Sequence, residues 1–373
     1  MIQGINLAAP HASGKPLINL GLGDPSVFGN MPPPKEALDA IEASLRSGKA
    51  DGYPQSTGYP AARQAVADYF DETAEGGNWR PAGDDVVLTH GTSGALEMCI
   101  SVLADETKNV IFPRPLFTAY ETSTYVSKAE MRYYNLLPEQ DWEIDLASLE
   151  AQIDDNTAFI IITNPGNPTG SNFSEAHLRA IAALAERRKV LVVADEVYAG
   201  LAWDVSGPRS ERAIVEGKFN RRAFTPYASV CGDAPVLTCG GLSKRWLAPG
   251  WRLGWVIVHD PLKVMDEVRE GLGRWAVSLT PTPLDSTRSL APLSKLLTRA
   301  RSSLPLPVPH SGPFLDDAVR PSCAPQEHAR EVLRGHDGHA PAHLGPALQP
   351  ACGNPGPQAD SAPGRHVPRL RWA

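Results

Sequence analysis

The chain has 373 residues, 42% of them hydrophobic and 21% charged, with a net charge of −7. That length holds one large domain or two ordinary ones with a sizeable core, and the acidic balance excludes a general attraction to nucleic acid or anionic membranes. No apolar run approaches the roughly 20 residues a membrane span needs, and the N-terminus lacks both a signal-peptide apolar core and an Arg-rich transit character, so a cytoplasmic location is expected. The five cysteines show no CxxC or Cys/His ligand spacing. They read as reduced thiols, with Cys99 and Cys239 in apolar stretches, and neither a disulfide framework nor a metal site is expected.

In chain order, PKEALDAIEASLRSGK and YPAARQAVADYF read as two helices with proline near their starts, joined by a Gly/Pro-rich link that carries Tyr53. From about residue 85, short β-branched runs alternate with segments of helical period: DVVLTH, NVIF, AEMRYYN, TAFIIITN, KVLVVAD, APVLTCG and LGWVIVHD. The later runs are almost continuously apolar, as strands buried on both faces of a mainly parallel sheet are. Between them SEAHLRAIAALAERR, Ser174 to Arg188, is an amphipathic helix with Ser174 as its cap. The predicted class is α/β, a mainly parallel sheet between helices.

The texture changes near Gly271. Residues 271–373 hold 16 of the 35 prolines and 6 of the 10 histidines, but one lysine and three aromatic residues. The net charge is +4 there and −11 before it. No regular period is expected in this stretch, which is read either as disordered or as translated out of frame from a GC-rich gene. Three parts follow: an N-terminal arm over 1–30, a large domain over 31–272, and an atypical Pro/Arg/His-rich tail over 273–373.

Four strings carry chemistry. GGLSKRWLAPGWRLGW, Gly240 to Trp255, places Lys244 just after an apolar strand and Arg252 in a Gly/Pro/Trp-rich loop. An amine held beside a second cation and aromatic walls suits a Schiff-base nucleophile, and Arg252 could receive a phosphate. The alternative is a solvated Lys-Arg pair with Trp246 and Trp251 as core. In ADEVYAG, Ala194 to Gly200, the strand delivers Asp195 at its C-terminal end, where open α/β sheets bind ligands. A buried carboxylate there could hold the pyridinium proton of a pyridoxal cofactor, and Tyr198 could reach its phenolic oxygen. Otherwise the Asp-Glu pair is a cap or a magnesium ligand.

NPGNPTG, Asn164 to Gly170, fixes an irregular turn that could aim the Asn167 amide at the same oxygen, or is an ordinary Asn-Pro turn. In HGTSGALEMCI, His90 to Ile100, a strand ends and a helix starts at Thr92 and Ser93, whose hydroxyls and neighbouring amides suit phosphate. Plain capping by Ser93 is the other reading, and His90 reads as a packed strand-end residue. Phe117, in FPRPLFTAY, could stack on a cofactor ring or simply pack in the core. GLGDPSVFG has Ser26 where a dinucleotide fold needs its third glycine, and there is no GxxxxGK[ST], so dinucleotide binding and nucleotide hydrolysis are set aside.

Together with GDPSVFGN and YNLLPEQDWEIDL, these strings resemble the fold-type I pyridoxal-phosphate-dependent aminotransferases, in particular their tyrosine-specific branch, over about residues 17–272. The resemblance implies pyridoxal 5′-phosphate as cofactor, Lys244 as its Schiff-base lysine, Asp195 at the pyridine nitrogen, Asn167 and Tyr198 at the phenolic oxygen, and Phe117 stacked on the ring. Thr92, Ser93 and Arg252 would bind phosphate, and Tyr53 would cross to the cofactor of a second subunit in a homodimer. The implied reaction moves an amino group from an aromatic L-amino acid, tyrosine first, to a 2-oxo acid such as 2-oxoglutarate. A lyase or alanine-type aminotransferase, or a pyridoxal-binding pseudoenzyme, are the rivals. Two departures stand out: Gly241 replaces the hydroxyl that many relatives carry three residues before the lysine, and nothing after Leu272 matches the family's small domain. No residue is therefore assigned to the substrate carboxylate.

Overall fold

The structure is a computed structural model that describes residues 24, 26, 31–73, 79–201 and 224–278. The arm over 1–30 falls almost wholly outside these residues, as does the tail beyond residue 278. Two helices come first, α1 (Lys35–Ser47), entered from Pro34 and closed by Gly48 in the left-handed region, and α2 (Pro60–Thr73), with its proline in the first helical position. The sheet then builds through β1 (Val86–His90), α3 (Gly91–Leu103), β2 (Asn109–Arg114), α4 (Ala119–Ser127), β3 (Glu130–Leu137), β4 (Glu143–Ile144), α5 (Leu146–Glu150) and β5 (Thr157–Thr163). After these come α6 (Glu175–Arg188), β6 (Leu191–Asp195), β7 (Val236–Gly241), β8 (Leu253–His259) and α7 (Asp266–Ser278).

Among the described residues the eight strands form one sheet in the order β1-β8-β7-β6-β5-β2-β3-β4. β7, β6, β5, β2 and β3 run parallel, whereas β8 pairs antiparallel with both β1 and β7. Sequence pattern could not distinguish β8, because LGWVIVH is buried on both faces whichever way it runs. The consequence for the site is geometric. β1, β2, β5, β6 and β7 end on one edge of the sheet, and β8 begins there. That edge is where such sheets bind ligands.

Alternating residues supply two core layers. Phe159, Ile161, Leu191, Val193, Leu237 and Cys239 face α3 and α7, while Ile160, Ile162, Val192, Ala194 and Val236 face α6. α3 is apolar nearly all round, with ten of its thirteen residues buried, as suits a helix enclosed between sheet, α4 and α7. α6 caps at Ser174, whose hydroxyl accepts from the His177 N–H at 3.2 Å, as expected from sequence. One expectation fails. Helical order continues past Gly271 to Ser278, because Val268, Leu272 and Ala276 recur every fourth residue and are buried. The proline-rich stretch that follows masks this period in the composition.

Candidate active site

Eight of the predicted residues meet in one cleft that opens to solvent: Thr92, Ser93, Phe117, Asn167, Asp195, Tyr198, Lys244 and Arg252. Each comes from the strand edge described above. Asp195 ends β6 and Tyr198 follows it; Asn167 lies after β5, Phe117 after β2, Lys244 after β7, and Arg252 precedes β8. Leu96, Val197, Ser243 and Pro249 complete the lining. Tyr53 is not in the cleft; it is 95% exposed on the link between α1 and α2.

Asp195 is the best-defined group. It is 3% exposed, the Tyr120 hydroxyl donates to its Oδ2 at 2.6 Å, and the Val197 N–H donates to Oδ1 at 3.2 Å. Burial pushes its carboxyl up to about 6, and these two hydrogen bonds oppose the rise. Thr163 lies directly across from Asp195 in the β5–β6 register, so its side chain shares a face with it. Its hydroxyl is 2.8 Å from that of Tyr120. With the phenol proton committed to the carboxylate, Thr163 is the donor in that pair. A buried row, Thr163 to Tyr120 to Asp195, thus fixes the carboxylate where it lines the cleft. Sequence reasoning missed Tyr120, because 75 positions separate it from Asp195.

Lys244 Nζ lies 5.5 Å from the centre of the Tyr198 ring. Burial, then the nearby Asp195 charge, raises the Tyr198 phenol above its ordinary value. The ring centres of Phe117 and Tyr120 lie 5.7 Å apart with the rings nearly perpendicular. This contact explains how Phe117 both packs against the core and lines the cleft. Asn167 is presented by a closed loop, in which Gly166 N–H donates to Ser171 carbonyl at 2.7 Å and Phe173 N–H donates to Asn164 Oδ1 at 2.8 Å. No cluster of three or more His, Cys, Asp or Glu suited to a metal occurs among the described residues.

The phosphate end of the cleft tests its fit to a cofactor. α3 starts at Gly91, without a side-chain cap, so Ser93 sits in the first turn and does not cap the helix. Thr92 Oγ1 is buried without a hydrogen-bond partner, an arrangement that costs about 1–3 kcal/mol unless something binds there. Arg252 holds its guanidinium across the same end by donating to the Pro249 carbonyl at 3.0 Å and the His90 carbonyl at 3.2 Å. His90 stays at the strand end, outside the cleft lining. An unsatisfied hydroxyl, the first turn of a long helix and a fixed guanidinium fit a bound phosphate.

A family model for aminotransferase class I and II matches residues 15–291. The chain belongs to that family. The match runs beyond Leu272, in keeping with the continuation of α7. Tyrosine aminotransferase of Mus musculus is 41% identical over 271 residues, which is 72% of this chain and 55% of that protein. Nicotianamine aminotransferase 1 of Oryza sativa subsp. japonica is 40% identical over 255 residues, 68% of this chain and 48% of that one. The crystal structure of tyrosine aminotransferase from Leishmania infantum aligns with a TM-score of 0.65 at 30% identity, over 72% of this chain and 63% of that chain. The chain therefore spans about half the length of the curated aminotransferases it matches.

Proposed function

We propose that the cleft binds pyridoxal 5′-phosphate and that the protein transfers the amino group of an aromatic L-amino acid, tyrosine first, to a 2-oxo acid such as 2-oxoglutarate. The observation that carries this reading is the convergence of an amine, a buried carboxylate, an aromatic ring and a phosphate-compatible end in one cleft, each from a different strand end. When bound, the cofactor supplies an aldehyde for amine exchange and an electron-withdrawing ring.

The residues divide the remaining work. Asp195 holds a proton on the ring nitrogen, and Asn167 and Tyr198 donate to the phenolic oxygen. Phe117 covers a ring face, while Thr92, Ser93 and Arg252 hold the phosphate. Lys244 would anchor the cofactor at rest; once displaced, its free amine would take the proton from the substrate's α-carbon and deliver it to the cofactor's C4′ carbon, as general base and then acid. Tyrosine is placed first because relatives at about 40% identity carry that name. The same reading makes the protein a cytoplasmic homodimer, with the exposed Tyr53 reaching the second subunit's phosphate.

The test is a substrate panel with the purified protein and added cofactor, followed by oxo-acid production. Tyrosine with 2-oxoglutarate should give the highest kcat/KM. A clear preference for alanine, or product release without an amino acceptor, would replace this reading with an alanine-type or lyase activity.

A further inference from the structure

The cleft holds a second hydroxyl that the assigned roles leave unused. Ser243, the residue before Lys244, lines the cleft and is 9% exposed. Its hydroxyl makes no hydrogen bond within the described structure. Leu242 before it is 3% exposed and packs in the core with Trp246 and Trp255. Ser243 is therefore the first residue past β7 that lines the cleft.

Position 241 cannot carry a hydroxyl here. A Cβ on Gly241 would stand 2.7 Å from Thr92 Oγ1, 2.9 Å from the Leu253 carbonyl oxygen and 3.3 Å from Gly254 Cα. The same distances show that the end of β7 runs against Thr92, whose own hydroxyl is buried and unpartnered. Two unspent hydroxyls, on Thr92 and Ser243, and the guanidinium of Arg252 thus line one cleft, a donor set that suits a phosphate monoester with its several acceptor oxygens.

We propose that Ser243 is a phosphate-positioning residue whose hydroxyl donates to the cofactor's phosphate from a site that Gly241 has no side chain to serve. The inference rests on the pyridoxal-phosphate reading. It predicts a contact that depends on the phosphate and not on the ring or the aldehyde.

The experiment measures dissociation constants of the full chain for pyridoxal 5′-phosphate and for pyridoxal, which lacks the phosphate, in the native protein, Ser243→Ala and Ser243→Thr. Ser243→Ala should weaken pyridoxal 5′-phosphate about tenfold, the loss of one hydrogen bond to a charged acceptor, and leave pyridoxal unchanged. Ser243→Thr, which keeps the hydroxyl, should recover most of that loss. Unchanged pyridoxal binding also reports that the variant is folded. Equal affinity of native and Ser243→Ala protein for pyridoxal 5′-phosphate would overturn the proposal, as would equal weakening of both ligands, which would tie Ser243 to Lys244 instead. Failure of the native chain to bind either ligand would overturn the cofactor reading and this inference with it.

Discussion

Asp195 owes its setting to Tyr120, and the hydrogen bond between them can be removed with little change of shape. Tyr120→Phe deletes the donor to Oδ2 and leaves a buried carboxylate with less support. Hydrogen bonds to charged groups contribute roughly 1.5–3 kcal/mol, so turnover should fall about ten- to a hundredfold. Because the lost bond was holding the Asp195 carboxyl down, the acid limb of the pH–rate profile should move to higher pH. A rate loss with an unmoved acid limb would make Tyr120 a packing residue only. Glu196 gives a separate signal. Its Oε1 accepts from the Tyr227 N–H at 2.7 Å, its Oε2 has no partner, and burial pushes its carboxyl from an ordinary 4.5 up to about 8. Between those values the folded chain keeps a proton that the unfolded chain releases. The stability this contributes is complete below about 4.5 and is lost as pH rises through about 8. Asp195 acts with the same sign in a lower window, from 3.8 to about 6. Cofactor-free protein should therefore lose up to a few kcal/mol as pH rises from about 4.5 to about 8, and Glu196→Gln should flatten that loss in urea unfolding. An equal slope in the variant would show that Glu196 does not carry it.

At the scale of elements, the junction of β7, β8 and α3 sets how closely the phosphate end can close. A Cβ on Gly254 would lie 2.2 Å from the Gly91 carbonyl carbon and 2.6 Å from the Thr92 nitrogen, both of them backbone atoms. Gly254→Ala should therefore force the start of α3 away from β8. The expected cost is about 1–3 kcal/mol, seen as a lower Tm, together with weakened phosphate-dependent cofactor binding. A native Tm would mean that the helix start shifts freely. This junction also marks what the sequence could reveal. The strand ends carrying Asp195 and Lys244 were legible because apolar runs stop there at chemically specific residues. The antiparallel course of β8 was not, since a strand buried on both faces has the same composition in either direction. Tyr120 was hidden because it acts across 75 positions, and Ser243, to which a phosphate contact is proposed, stands in a string read for Lys244, Arg252 and the tryptophans. The last turns of α7 were hidden by the prolines that follow them, although Leu272 and Ala276 keep its period.

For the whole molecule, every cleft residue lies between Thr92 and Arg252, and the family match ends at residue 291. A chain truncated after residue 291 should therefore bind pyridoxal 5′-phosphate within about twofold of the full chain, a difference under about 0.4 kcal/mol. A much weaker affinity in the truncated protein would show that the Pro/Arg/His-rich stretch contributes to the site. The account as a whole turns on Lys244. Its central test is borohydride reduction of the protein loaded with pyridoxal 5′-phosphate, followed by mass-spectrometric mapping of the fixed label in the native chain and in Lys244→Ala. The account predicts one label per native chain, on the peptide containing Lys244, and none in the variant. A label on another lysine, or an unchanged label in the variant, would contradict it.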